Sequence, residues 1–310
     1  MVRNTNIGQH GVHHSDELSF HYSVFMNPHE YREYISELRS SDFKGYDPLS
    51  DGPSLDWIGR KDLKSKGLKK RGEVMDTFGD YIKEDHDQIK KSQGHSRMTD
   101  LVDSIDLESL KRVLRWNDNR GRVSAGRLLR GESRFRRQPS KRMVPTEAVA
   151  LVVPTGANSG TSPEVLFAKT AVALACAQLL EEVGYPVEVW GYAYSEDCLE
   201  QDKETKNTLC AFRMKEADQP MNIAVSASLG SAWMFRTGTF GVWASQGEAD
   251  WSLGRSRSLS QKEGKEIAKA IGLKECHLLR KGGNYDSLDT AIGDAIEDCI
   301  EALTKWTGGN

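Results

Sequence analysis

The sequence predicts an α/β protein built on an open, mostly parallel sheet, and three observations in residues 143–310 support this class. Residues 151–153 and 187–190 are short apolar runs, as expected for strands of a sheet that is covered on both faces. A long apolar segment separates them, and a strand, a crossover helix and a second strand form a right-handed parallel unit. Helix and strand patterns then alternate to residue 306. We therefore expect a Rossmann-like open sheet with helices on both faces.

The segment between these two strands carries the signals of a buried helix. Ser162 occupies the N-cap position, Pro163 the first helical position and Glu164 the first turn. Gly184 and Pro186 end the helix. Between these residues nearly every face of the helix is apolar, which is typical of a helix surrounded by protein.

The remaining elements follow from local patterns along the chain. Residues 1–27 have no clear pattern, and we expect them to be weakly structured. Apolar residues at helical spacing predict helices over 28–38, 55–70, 74–91 and 100–117, so that the region 1–142 is predicted to be mainly helical. In the second region, 143–310, the patterns predict strands over 208–215 and 275–280, a helix over 261–271 and an amphipathic helix over 286–306.

The order of strand, turn, long helix and second strand resembles a von Willebrand factor A domain. The similarity is greatest to the degenerate A-like domains of uncharacterised tailed-phage and bacterial proteins, which carry similar segments to Trp116 with GRLLRGE at 126–132, and to LEEVGYPVEVW at 180–190. The resemblance spans roughly residues 110–245. It implies a Rossmann-like sheet between helices and a phage or prophage origin.

A metal-binding A domain holds a divalent cation with Asp-x-Ser-x-Ser after its first strand. Here that turn reads Pro154, Thr155, Gly156, Ala157, Asn158 and Ser159, and Pro154 replaces the aspartate. Hard cations need anionic oxygen ligands, and this turn offers only neutral ones. We therefore expect a degenerate site without metal, and we expect no cofactor.

Charge is distributed unevenly along the chain, although the net charge is only -3. Residues 1–142 hold 27 basic and 22 acidic side chains, and residues 143–310 hold 15 and 23. Within the first region, residues 111–142 carry 12 basic and 2 acidic side chains. The planar guanidinium group of arginine can form two parallel hydrogen bonds with a phosphate. Aromatic rings that lie between the arginines in the sequence can stack on unpaired bases. The candidate residues are Lys69, Lys70, Arg71, Arg112, Arg115, Trp116, Arg120, Arg122, Arg127, Arg130, Arg134, Phe135, Arg136 and Arg137.

Three functions are compatible with these features, and the last of them, an enzyme whose active site is built from residues scattered in the sequence, has no local motif to support it. In the first, the protein is not an enzyme, and its metal-free A-like domain is a docking scaffold for a protein partner; the arginines then pair with acidic surfaces of this chain or of the partner. In the second, segment 111–142 binds single-stranded nucleic acid, and the protein is a cofactor of phage transcription or replication. The second function predicts salt-sensitive binding to polynucleotides.

Composition limits where such a protein acts. No apolar run reaches the roughly 20 residues of a membrane span, and the N-terminus lacks the apolar core of a signal peptide. The five cysteines contain no CxxC pair and are odd in number, which favours reduced thiols. We expect a cytoplasmic protein, in the host cytoplasm if it is phage-encoded, with no membrane partner.

Overall fold

The computed structural model describes residues 7–16, 18–38, 42, 44–45, 58–60, 78–91, 96–97, 100, 114–117, 122–123, 136–139, 148–158, 160–183, 185–201, 204–246, 248–249, 256, 259–274, 276–279 and 287–307. The strands are β1 (Gln9–His14), β2 (Ser19–Phe25), β3 (Lys44–Gly45), β4 (Leu114–Asn117), β5 (Arg122–Val123), β6 (Arg136–Pro139), β7 (Val149–Pro154), β8 (Val187–Gln201), β9 (Glu204–Lys215), β10 (Glu248–Ala249) and β11 (His277–Leu278). The helices are α1 (Pro28–Glu37), α2 (Phe78–Lys91), α3 (Pro163–Val183), α4 (Ile223–Leu229), a π-helix (Met234–Thr239), α5 (Phe240–Ala244), α6 (Gln261–Ala270) and α7 (Leu288–Thr307).

A mixed sheet lies at the centre of the fold, and the predicted α/β class is confirmed. Its main strands run in the order β1–β2–β9–β8–β7–β11. The pairs β2–β9, β8–β7 and β7–β11 are parallel, whereas β1–β2 and β9–β8 are antiparallel. The short strands β10 and β3 extend the sheet beside the distal part of β8.

The β7–α3–β8 unit has the predicted form. The side chain of Ser162 accepts a hydrogen bond from the backbone N–H of Val165 at 3.4 Å, and the helix begins at Pro163. By length and composition, residues 163–181 could cross a membrane, but 83% of that helical window is buried inside the protein. The apolar character of α3 is therefore accounted for by core packing.

Helices cover both faces of the sheet. Successive side chains of a strand point to opposite faces, so that each face receives apolar residues that need to be covered. Val187, Val189 and Ala193 of β8 join the core that contains α1, α3 and α7. Trp190 and Tyr192 join the opposite core, which α6 covers. Cys176, Cys210, Cys276 and Cys299 are free thiols, as predicted.

The prediction that residues 1–27 are weakly structured is wrong for β1 and β2. β2 pairs in parallel with β9, and β1 pairs with β2. The central sheet therefore contains strands from both sides of residue 143. Local patterns missed these strands because their polar residues are stabilised by partners distant in sequence. His13, for example, contacts Glu266 Oε2 through Nε2 at 2.7 Å, and Glu266 lies 253 residues later in the chain.

The other predicted helices agree in place with the structure. α1, α6 and α7 occupy the predicted segments, and α2 occupies Phe78–Lys91 of the helix predicted over 74–91, whose residues 74–77 lie outside the described part of the chain. α6 begins with a capping box, in which Ser260 and Glu263 each bond the backbone N–H of the other. The helix predicted over 55–70 lies almost entirely outside the described residues.

A second, three-stranded antiparallel sheet has the order β4–β6–β5. Its first strand corrects the helix predicted over 100–117, because residues 114–117 are extended and pair with residues 136–139. Residues 101–113 lie outside the described part of the chain. Apolar spacing alone predicted the helix, whereas pairing with a strand about twenty residues later determines the strand.

Glu266 of α6 connects this helix to the N-terminal strand β1. Its carboxylate accepts hydrogen bonds from Lys269 Nζ and from His13 Nε2, each at 2.7 Å. The residue is only 6% exposed. The hydrogen bond from Lys269 has the largest effect and that from His13 the next, and together they lower the pKa of Glu266 to about 2.

Replacing Glu266 with glutamine should lower the melting temperature near neutral pH. Because the folded pKa lies below the ordinary 4.5, the carboxylate stabilises the fold above pH 4.5, and this contribution is lost as the pH falls towards 2. Thermal unfolding across that range should show a weaker acid dependence in the variant. The exposed Glu37→Gln variant is the matched control, and identical pH profiles for all three proteins would contradict the prediction.

Candidate functional site

The turn after β7, where a degenerate metal site is expected from the sequence, is packed against other parts of the protein. The backbone N–H and the hydroxyl of Thr155 both donate to the Tyr192 carbonyl, at 2.8 and 3.0 Å. A Cβ added at Gly156 would lie 2.6 Å from Ser256 Oγ. Ala157 is fully buried. The turn thus has little room for a side chain or an ion at Gly156.

Arg236 of the π-helix holds the chain between this turn and α3. Its Nη2 donates to the Thr161 carbonyl at 2.5 Å, and the residue is buried. Burial lowers the pKa of Arg236 to about 10, against the opposing effect of Glu164. Pro154 pairs with Tyr192, and the Asn158 carbonyl accepts from Thr161 N–H at 2.9 Å. Ser159 lies outside the described residues, and the absence of a metal here stays a prediction.

The candidate basic and aromatic residues fall into two groups. Five of them belong to the small sheet: Arg115 and Trp116 in β4, Arg122 in β5, and Arg136 and Arg137 in β6. The others lie outside the described residues: Lys69, Lys70, Arg71, Arg112, Arg120, Arg127, Arg130, Arg134 and Phe135.

The register of the small sheet places three of these residues in one row. Trp116 lies directly opposite Arg137, and Arg137 lies directly opposite Arg122. Residues directly opposite each other in antiparallel strands share a face of the sheet. Arg136 belongs to the other face because neighbouring residues in a strand alternate between faces. One face therefore combines an aromatic position with two arginine positions.

A buried ion pair connects the segment before α2 with α2 itself. Arg60 Nη2 donates to Asp85 Oδ1 at 2.7 Å, and both side chains are at most 5% exposed. Asp85 Oδ2 accepts from Ser228 Oγ at 2.7 Å and from Trp233 Nε1 at 3.1 Å. Glu84, which is half exposed, also accepts from Arg60 Nη1, at 2.5 Å. Asp85 thus links the segment before α2 to α4 and to Trp233.

Burial raises the pKa of Asp85, and Arg60, Ser228 and Trp233 oppose this rise. Both carboxylate oxygens already accept hydrogen bonds, and the Arg60 guanidinium carbon lies 4.1 Å from the Tyr81 ring centroid. The arrangement holds secondary-structure elements together. The sequence indicated none of it, because Asp85 and its partners Ser228 and Trp233 are separated by 143 and 148 residues.

A cavity of about 820 Å³ lies beside this cluster. Arg60 and Asp85 neutralise each other within its lining, and Phe167, Trp233 and Ile292 supply apolar surface. The size is within the range of ligand pockets, about 300–1,000 Å³. Gln88, Lys91 and Glu164 also line the cavity, so its surface is mixed in polarity. Among the described residues, no three histidine, cysteine, aspartate or glutamate side chains cluster so as to hold a metal ion.

Comparison with known proteins identifies the family. The family model DUF7192, described as a domain of unknown function, matches residues 19–303. The chain therefore belongs to the DUF7192 family. No curated protein and no solved structure shows a significant match to it.

Proposed function

We propose that this member of the DUF7192 family is a non-enzymatic binding protein that binds single-stranded nucleic acid on its small sheet. The row Trp116–Arg137–Arg122 carries this proposal. An aromatic residue offers a stacking platform for a base, and arginines offer forks for the adjacent phosphates. Such binding suits a cofactor of phage transcription or replication.

The two arginine positions also favour an anionic partner on energetic grounds. Arg122 and Arg137 are direct cross-strand neighbours, and like charges in this relation destabilise a sheet. A phosphate backbone along the row would remove that repulsion. Residues 111–142 as a whole carry 12 basic against 2 acidic side chains, which adds long-range attraction.

In this proposal the central sheet is a metal-free A-like scaffold. The packing of Gly156 against Ser256 supports this role, because the turn that would hold a cation is filled by side chains. The hydrogen bond from Arg236 to Thr161 supports this role further, because the positively charged guanidinium group of Arg236 already binds the segment that follows the turn.

Filter binding of a labelled single-stranded oligonucleotide at several salt concentrations tests the proposal. If five phosphates are contacted, the logarithm of affinity should fall with the logarithm of salt at a slope of about -3.5. Trp116→Ala should weaken binding by about 1–3 kcal/mol without changing the slope, because a stacked base carries no charge. Replacing Arg122 and Arg137 with glutamine should make the slope shallower by about 1.4, from two lost phosphate contacts.

Arg136→Gln is the matched control, since it removes the same charge from the same strand on the other face of the sheet. It should change the slope less than Arg137→Gln does. Equal effects of the two variants would indicate diffuse electrostatics and would contradict the row as a binding site. Failure to bind at low salt would favour the alternative function, docking of a protein partner on the A-like scaffold.

A further inference from the structure

A second cavity, of about 390 Å³, lies between the first half of α1 and the loop that joins β9 to α4. Its volume is within the range of small-molecule sites, about 300–1,000 Å³. The lining combines Arg32, which pairs with no carboxylate among the described residues, with two paired cations, Arg213 and Lys215, and with amide and apolar side chains. The residues that matter here are Arg32, Met214, Glu216, Gln219, Pro220 and Asn222.

Arg32 is the unusual member of this lining. Its guanidinium carbon lies 4.0 Å from the ring centroid of Phe78, which is fully buried. Its Nε is buried, and within the described part of the chain it meets no hydrogen-bond acceptor. Burial lowers the pKa of Arg32, and no nearby carboxylate opposes this effect. The aromatic ring offsets part of the cost of desolvation, but it provides no acceptor in the plane of the N–H donors.

The neighbouring cations are satisfied, in contrast to Arg32. Arg213 donates to Glu216 at 2.7 Å, to Glu188 at 3.3 Å and to the Met26 carbonyl at 2.6 Å. Lys215 pairs with Glu181 at 2.7 Å. Buried or half-buried charges are normally paired in this way. An anion from outside the chain would give Arg32 the partner that Arg213 and Lys215 already have.

We propose that this cavity binds a small carboxylate-bearing ligand, with its carboxylate on the Arg32 guanidinium. A carboxylate matches the planar fork of arginine in a bidentate contact. A dianionic phosphate fits less well, because the other two cations of the lining are already paired, Arg213 with Glu216 and Lys215 with Glu181, and leave the second charge without a partner.

The other residues of the lining favour a ligand that has an amide group next to its carboxylate. Asn222 uses its side-chain oxygen to accept from the Val225 N–H at 3.2 Å, so its amide nitrogen can donate to a ligand. Gln219 is exposed at the cavity and can donate in the same way. Met214 and Pro220 provide apolar surface for a short side chain. The chemistry is that of an acylated amino acid, either as a free small molecule or as the C-terminal residue of a peptide.

Nuclear magnetic resonance of arginine Nε–Hε groups in the ¹⁵N-labelled full chain tests this site. The probes are N-acetylalanine, its neutral C-terminal amide, and inorganic phosphate at equal ionic strength. N-acetylalanine should shift the Arg32 signal saturably, and the amide should not. A short peptide ending in a free carboxylate, compared with N-acetylalanine, distinguishes the two sources: tighter binding of the peptide identifies a peptide C-terminus, and equal or weaker binding identifies the free small acid.

Variants assign the effect to Arg32. Because the Arg32 variants lack the Arg32 signal, their binding is followed by the Nε–Hε signal of Arg213, which lines the same cavity. Arg32→Gln should weaken N-acetylalanine binding about tenfold or more, the loss expected for a hydrogen bond to a charged group. Arg32→Lys keeps the charge without the fork and should bind with intermediate affinity, which separates loss of binding from loss of folding. Arg97→Gln, which removes an exposed arginine paired with Asp289, should bind as the unmodified chain does. Equal shifts with acid and amide, no saturable shift with the acid, or tighter binding of phosphate than of the acid would overturn the proposal.

Discussion

Replacing Asp85 with alanine should destabilise the protein by about 3–5 kcal/mol, the range found when one partner of a buried ion pair is removed. Among the described residues, the variant would leave Arg60, which is 5% exposed, with the half-exposed Glu84 as its one charged partner. It would also leave the donors of Ser228 and Trp233 without their acceptor. Urea unfolding followed by tryptophan fluorescence measures the loss.

Two further variants test the cause of this loss. Asp87→Ala removes an exposed carboxylate from the same helix and should change stability by no more than about 0.5 kcal/mol. Replacing Arg60 and Asp85 together with methionine should recover part of the stability, since no unpaired charge is left buried, although Ser228 and Trp233 still lack their acceptor. A single Asp85 variant as stable as the unmodified protein would show that the cluster does not hold α2 in place.

Replacing Lys169 with methionine should stabilise the protein by up to roughly 4 kcal/mol at pH 7. Lys169 lies within α3 and is 2% exposed. Burial lowers its pKa from 10.5 to about 7, although Asp294 acts in the opposite direction. A charged ammonium is therefore costly at this position, and a methionine of similar length removes the cost.

The pH dependence of the stability tests whether the pKa of Lys169 is lowered in the folded protein. Below pH 7 the folded and unfolded chains both carry the proton on Lys169, so its cost is constant. Between pH 7 and 10.5 only the unfolded chain holds the proton, so the stability of the unmodified protein should rise with pH. Lys169→Met should lack this rise, and the exposed Lys265→Met variant should retain it. Parallel stability profiles for the unmodified chain and Lys169→Met would contradict the lowered pKa.

The candidate sites could be predicted from sequence only in part. The Pro154–Ser159 turn and the arginine-rich segment were visible because they are continuous in the chain. The row Trp116–Arg137–Arg122 was not visible, because strand pairing brings together residues about twenty positions apart. Arg32 could not be distinguished from other arginines, because its contact with Phe78 and its place beside the β9–α4 loop are tertiary contacts.

The sequence by itself determined the elements whose signals are local. Ser162 and Pro163 begin α3, its apolar residues require burial, and the Ser260–Glu263 capping box begins α6, because caps and helical spacing act within a few residues. Only the tertiary structure decided that β1 and β2 join the central sheet and that residues 114–117 form a strand. Backbone hydrogen bonds in a sheet, like the contact of His13 with Glu266 across 253 residues, are made between distant segments, and no short window of sequence contains both partners.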